Sequence, residues 1–442
     1  MALDRDELNR RRHAREEQRR KRQAAQRRMY VRLGLAVLVL IVCAVGIFVM
    51  SRNSDQPQAQ VMATDPEIYE EEFEVTQPET EALSSWEKLP EVIHVVAAGD
   101  LNVTDSVVWA GQKGGVYDYT AAFMDVAPIF SEADLALLNF EGNVCGSPFG
   151  SQTQSAPFEM IAALKNAGID VMQLANSCTI SNGLIGMQST LSTIRSQGIE
   201  PVGAFANDEE FNRSNGYTVC QVGDVKIALV AFTKGLGGKG LPSGSENCVN
   251  LLYEDYYTNY QKIATDSIKK ILKNVESEDP DLTIALLHWG SEYNDTISDS
   301  QKSIASLMLK NGVDAIIGTH SHMVHQIEYD EETGNLVAYS LGDFFGDATQ
   351  GGTSYSIILD LEITKDYDSG ETRITNYSYT PIYTLTENEC DGQRRVVRIE
   401  NAVSAYDLNY VDKVTKACYD NMQFALDRIS KRVTPEPVQA KK

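Results

Sequence analysis

The stretch LTIALLHWGSEYNDTISDSQKSIASLMLKNGVDAIIGTHSH, residues 282–322, decides the fold. It opens with an apolar run that closes on His288 and ends with a second that closes on His320 and His322. Short apolar runs bounded by polar residues and glycine read as strands buried on both faces. Between them, SDSQKSIASLMLKNG (Ser298–Gly312) repeats apolar residues at i, i+3 and i+4 and stops on a glycine suited to a helix C-terminus. Strand, amphipathic helix and strand over about thirty residues make one βαβ unit. His288 and the His320–His322 pair then lie at consecutive strand ends.

The same alternation extends outward. VIHVVAAGD (92–100), DLALLNFE (134–141), IDVMQLAN (169–176), KIALVAFT (226–233) and LVAYSLGD (336–343) read as further buried strands. Residues 156–168, 183–198 and 257–274 carry helical spacing. Alternating strands and helices predict an α/β domain with helices on the sheet faces. Residues 354–366 alternate and precede 372–385, which predicts a closing antiparallel pair. Residues 411–431 read as one more amphipathic helix before a polar tail. The domain is thus expected over 91–385, with an extension over 386–442.

Charge is unevenly spread. The chain of 442 residues has a formal charge of −23, yet residues 1–32 hold twelve Lys/Arg against five Asp/Glu, which leaves about −30 for the remainder. Next comes LGLAVLVLIVCAVGIFVM (33–50), without a charge. At about 1.5 Å per residue this helix spans roughly 27 Å, close to the bilayer core of about 30 Å. Basic flanks stay cytoplasmic, so the reading is a single-pass cell-membrane anchor with the C-terminal domain outside the cell. A cleaved signal peptide is the rival, but VMSRNSDQ lacks a small-residue cleavage site. Residues 51–90 are acidic and polar, the composition of a disordered linker. Nucleic acid is excluded as a partner by the acidic balance.

Of seven cysteines, Cys43 falls in the apolar run; the other six sit where disulfides persist, but their pairing is open.

Four strand ends carry groups capable of chemistry: Asp100, Glu141, His288, and His320 with His322. Two carboxylates and three imidazoles suit one or two divalent ions such as Mn²⁺, Fe or Zn²⁺. His320 and His322 share a direction if Gly318 lets the chain leave the strand and the loop stays extended. His325 does not share it and reads as a loop residue or a support to the ligands. Singly, an aspartate placed like Asp100 is more often a helix cap or turn residue.

In order, AAGDLNVTDSV, LALLNFEG, LANSCTISNGLIGMQSTLSTIRSQGIEPVGA, the quoted stretch continued to Glu328, and VAYSLGDFF resemble the capsule-synthesis protein CapA family. The likeness covers about residues 92–346. It implies a role in poly-γ-glutamate capsule production and a branch of the calcineurin-like metallophosphoesterase superfamily. The implied fold is a metallophosphoesterase-like sandwich of two β-sheets flanked by helices, with a dinuclear site. By position, Asp100 matches the first acidic ligand, Glu141 the Asn-x-Glu carboxylate, His288 the His-Trp-Gly histidine, and His320 with His322 the His-x-His pair.

Four positions depart from that pattern, among them Ser181, which stands for the aspartate of the third motif. Ser177 stands for a ligating asparagine, Cys178 for the histidine that assists the leaving group, and Asp343 for the asparagine of Ser-Leu-Gly-Asn-Phe. Asn176 is an alternative ligand in place of Ser177. Cys178 is open to three readings: a disulfide with Cys145, packing, or thiolate ligation of a soft metal. The function expected is that of a membrane-anchored metal-dependent hydrolase acting on an anionic envelope polymer, with capsule-synthesis membrane proteins as partners. The alternative is a catalytically degenerate member that binds the polymer or scaffolds its synthesis. A metal-free solute-binding module is a third class, disfavoured by the grouped histidines. No phosphate-binding glycine loop, dinucleotide fingerprint or serine-hydrolase elbow occurs in the α/β region.

Overall fold

The computed structural model describes residues 88–389, 392–408 and 414–434. The basic segment, the apolar run 33–50, the acidic stretch up to residue 87, Cys390 and residues 435–442 lie outside the described residues. Among the described residues no helix is long and apolar enough to cross a membrane.

The apolar runs do form strands. In chain order these are β1 (Glu91–Asn102), β2 (Gln112–Lys113), β3 (Val116–Tyr117), β4 (Leu135–Glu141), β5 (Val171–Gln173), β6 (Glu200–Val202), β7 (Thr218–Val222) and β8 (Val225–Thr233). There follow β9 (Leu282–His288), β10 (Ala315–Thr319), β11 (Ile327–Tyr329), β12 (Leu336–Ala338), β13 (Asp343–Phe345), β14 (Tyr355–Lys365), β15 (Thr372–Leu385) and β16 (Arg395–Arg398).

One sheet runs β16-β15-β14-β1-β4-β5-β6, with β13 added beside the end of β1; the other runs β11-β12-β10-β9-β8-β7. β2 and β3 form a separate small hairpin. Both sheets are mixed. In the first, β1, β4, β5 and β6 are parallel and β14 to β16 antiparallel. In the second, β8, β9, β10 and β12 are parallel, bounded by antiparallel β7 and β11. β1 lies against β10 and β6 against β8, and apolar residues of both sheets, such as Leu137 and Leu286, belong to one continuous core.

The βαβ reading of 282–322 is matched by β9, the helix Asp299–Leu309 and β10. The helix starts at a capping box, in which Ser298 accepts from the Gln301 backbone N–H and Gln301 reaches back to the Ser298 N–H. The antiparallel pair read at 354–385 is β14 with β15. β16 completes this sheet from within residues 386–442, so the division at residue 385 cuts through one sheet. The final helix is Lys416–Val433; Cys418, Met422, Ala425, Ile429 and Val433 form its buried face.

Two predicted elements differ. The helix read over 257–274 begins only at Thr265. Upstream, the Asp255 carboxylate accepts from the Gln261 and Lys262 backbone N–H groups, which ties the chain into a turn instead of a helix. The strand read over 336–343 is two: β12 stays in the second sheet, and β13 crosses to pair with β1 in the first. Gly342, at φ 81°, makes the crossing. An unbroken apolar run cannot reveal a change of sheet.

Backbone contact is closest at Gly99, where a Cβ would stand 1.8 Å from the Gly342 carbonyl oxygen. Gly99→Ala is expected to lower unfolding free energy by roughly 2–4 kcal/mol in urea denaturation, because that oxygen is main chain and cannot move aside alone. A loss below about 0.5 kcal/mol would contradict the tight seam between β1 and β13.

Candidate metal centre

Gly99 also aims the first carboxylate. Ala98 pairs with Leu138 and Asp100 with Asn139, so Gly99 is an extra residue, a bulge that shifts the register of β1 on β4. Asp100 consequently lies between Asn139 on one side and Asp343 on the other. It is fully buried. Its Oδ1 accepts from Asn139 Nδ2 at 2.6 Å and its Oδ2 from the His320 backbone N–H at 3.1 Å. Asn139 and Glu141, two apart on β4, share a face. The same Asn139 amide also donates to Glu141 Oε1 at 3.1 Å.

The second sheet supplies the imidazoles. His288 Nε2 stands 3.0 Å from Glu141 Oε1, and His288 Nδ1 is 3.1 Å from Thr233 Oγ1. The Thr233 hydroxyl donates to the Gly235 carbonyl at 2.8 Å, so it accepts from His288 Nδ1–H. This assigns the tautomer: Nε2 turns a lone pair toward a carboxylate oxygen unless it carries a proton. Two acceptors at that distance, both buried, repel unless a proton or a metal cation lies between them.

His322 Nδ1 is 2.7 Å from Asp343 Oδ1 and 3.6 Å from Asp100 Oδ2. Asp100, His322 and Asp343 each present a ligand atom within 4.8 Å of the others. The His320 ring lies 4.2 Å from that of His288 and 6.3 Å from that of His322, and its buried Nδ1 has no hydrogen-bond partner.

Electrostatics express the same demand. Burial, reinforced by the charge of Glu141, pushes the Asp100 carboxyl well above the usual range. Burial likewise raises Asp343, against the pull of His322. Glu141 is also desolvated, yet the imidazoles of His288, His322 and His320 together outweigh this and hold it low. Burial and the neighbouring His288 drive His320 well below an ordinary imidazole. For His322 burial is overcome by Asp343, which raises it well above. Three carboxylates and three imidazoles in a dry crevice, with one imidazole nitrogen unpartnered, fit divalent cations. Asp100, His322 and Asp343 would hold one ion; Glu141 and His288, with His320 beside them, would hold another.

The expected ligands Asp100, Glu141, His288, His320 and His322 are thus brought together, and Asp343, expected only as an additional position, is among them. How the His-x-His pair converges differs from the expectation. The loop is not extended: His320 and His322 have φ of 91° and 58°, a left-handed geometry costly for non-glycine residues and concentrated at functional sites. Gly318 does not release the chain either; it stays in β10, where a Cβ would meet the Tyr339 carbonyl oxygen at 2.1 Å. His325 sits apart, its Nε2 2.8 Å from the Asn294 carbonyl.

Asn176 does not stand in for Ser177. Its Oδ1 accepts from the Cys178 backbone N–H and its Nδ2 donates to Asn139 Oδ1 and to the Phe140 carbonyl, so both ends of the amide are engaged, one within the loop and one on β4. The Ser177 hydroxyl donates to Glu141 Oε2 at 3.4 Å. Cys145 and Cys178 are not paired with each other. Cys178 is buried with Sγ 3.9 Å from Glu141 Oε2, and burial followed by that carboxylate keeps the thiol protonated.

Asn139 and Thr233 were missed in the sequence. Alternation places Asn139 on the face of Glu141, which was a usable signal. Thr233 ends the run read at 226–233, but its parallel register with His288 is not visible without the sheet.

The pattern of the family described as bacterial capsule synthesis protein PGA_cap matches residues 94–348. The chain is 28% identical over 260 residues to the PGA biosynthesis protein CapA of Bacillus subtilis, covering 58% of this chain and 63% of that protein. It is 26% identical over 238 residues to the capsule biosynthesis protein CapA of Bacillus anthracis, covering 52% and 55%. The match thus spans less than two thirds of either relative. Among solved structures it is similar to a calcineurin-like phosphoesterase of Bacillus subtilis, at 15% identity and a TM-score of 0.39, covering 78% of this chain and 100% of that one. A phosphatase of Mycoplasma pneumoniae gives 12% identity and a TM-score of 0.42, with 67% and 95% covered.

Protein loaded with Mn²⁺ and then desalted is expected to keep about one to two equivalents by elemental analysis, and the double variant His288→Ala, His320→Ala to keep almost none. Less than about a tenth of an equivalent in the unsubstituted protein would contradict the centre. Thr233→Val, which removes the acceptor from His288 Nδ1–H, is expected to weaken Mn²⁺ affinity about 10- to 100-fold. Unchanged affinity would show that Thr233 does not orient the imidazole.

Proposed function

Because this chain belongs to the bacterial capsule synthesis protein family, we propose that it acts in the synthesis or processing of an anionic capsule or envelope polymer of poly-γ-glutamate type, through divalent ions held between its sheets. The observation that carries the reading is His288 Nε2 facing Glu141 Oε1 at 3.0 Å, with Asp100, His322 and Asp343 clustered beside them.

A bound divalent ion supplies a water of lowered pKa and polarises a phosphoester or amide oxygen. The chain's own groups prepare that ground. Asn139 sets the spacing of the Asp100 and Glu141 carboxylates by donating to both. Thr233 fixes the His288 tautomer, and Asn176 pins the loop that carries Ser177. Burial of Asp100, Glu141 and His288 keeps bulk water from competing for the ligand atoms.

A second reading is favoured by Cys178. A buried, protonated thiol at that position cannot exchange a proton with a leaving group near neutral pH as an imidazole does. On this reading the chain binds the polymer and turns it over slowly or not at all. Under either reading the run Leu33–Met50 is the membrane anchor, the acidic domain lies outside the cell, and the partners are the polymer and the membrane proteins that make it.

Hydrolysis of an aryl phosphodiester and of poly-γ-glutamate separates the two readings. Ser177→Asn with Cys178→His is expected to raise turnover on the order of a hundredfold. Fast turnover by the unsubstituted chain would rule out the second reading. No turnover by the double variant with its metal in place would contradict the hydrolase.

A further inference from the structure

A cavity of about 290 Å³ opens beside His320, with Ser177, Lys234, Tyr260, Ser291 and Glu292 among its walls. Lys234 directly follows Thr233, the residue that orients His288. It is partly buried. Its Nζ donates to the Gly290 carbonyl and stands 4.7 Å from the centre of the Tyr260 ring. Among the described residues no carboxylate forms an ion pair with it.

This arrangement has a cost that packing does not offset. The ammonium is drawn partly out of water and is steadied by one carbonyl, one ring face and, without a direct ion pair, the charge of Glu292, which leaves it donors to spare. A lysine that served only to pack would be better neutral, or paired with a carboxylate. The location is informative too. Residues 33–442 carry about −30, so an anionic chain approaching the centre meets repulsion that a local cation helps to relieve.

We propose that Lys234 is a recognition residue of this site, seating an oxyanion of the substrate polymer, carboxylate or phosphate, beside His320 with the Ser291 hydroxyl as a further donor. The proposal rests on the reading of the crevice as the working site of an anionic-polymer protein. Glu292, exposed on the same wall, opposes the anion and restricts which charge patterns enter.

The test titrates the full-length, Mn²⁺-loaded protein calorimetrically with inorganic phosphate and, separately, with a γ-linked glutamate oligomer. The unsubstituted protein is expected to bind at least one of them, and which one identifies the oxyanion. Lys234→Gln is expected to weaken that binding about tenfold or more, with Mn²⁺ content and thermal midpoint unchanged. Lys234→Arg is expected to keep it within about threefold, and Glu292→Gln to tighten it. Binding by Lys234→Gln equal to that of the unsubstituted protein, or no binding of either anion by the latter, overturns the proposal. Should Lys234→Gln fail to fold, Glu292→Gln decides, and an affinity it leaves unchanged overturns the proposal. The two readings fail separately. Anion binding that depends on Lys234 in protein that retains no Mn²⁺ upholds this assignment and sinks the metal centre.

Discussion

Three carboxylates share one dry crevice, and that constraint organises the rest of the structure. Asp100, Glu141 and Asp343 are all buried, on three strands of one sheet. Like charges at such range cannot all ionise in a low-dielectric interior without positive charge among them. His288 and His322 face these carboxylates from the other sheet and its loops. The sheets therefore meet at this point through charge as well as through apolar packing, and the backbone yields to it. β1 bulges at Gly99, β13 leaves the sheet of β12, and His320 and His322 take up left-handed conformations. Strain concentrated around one group of polar side chains is what a preorganised site looks like.

Much of this was legible in the chain. Buried runs announced themselves by length and by the residues that end them, so His288, His320, Glu141 and Asp100 could be placed at strand ends before any coordinates. The apolar spacing over 298–312 and the glycine at 312 marked the helix that ties His288 to His320, whereas its capping box at Ser298 came from the structure. Parts that depend on register or on a crossing were not legible. Asp343 closes the cluster because β13 changes sheets, and the run that contains it looks like one strand. Thr233 matters only through its pairing with His288. The turn at Asp255 replaced a predicted half-helix through a side-chain bond that periodicity does not weigh.

The resemblance in motifs and the geometry divide the work. Family membership carries the link to capsule polymer; the side chains carry the link to metal. Where this chain departs from the motif pattern, the effects are separable. Asp343 adds a carboxylate to the cluster of Asp100 and His322, whereas Cys178 stands where the family resemblance implies a proton-transferring histidine. Metal holding and proton transfer can thus part company in a single site, and Lys234 on its rim bears on a third property, the charge of what enters.

The central claim is that cations, not protons, balance this crevice. Anomalous diffraction at the Mn edge from crystals of Mn²⁺-loaded protein tests it most directly. The account predicts density within about 2.3 Å of His288 Nε2 and a Glu141 oxygen, and a second peak among Asp100, His322 and Asp343. A crevice free of anomalous density, with the His288–Glu141 contact unchanged, would contradict it.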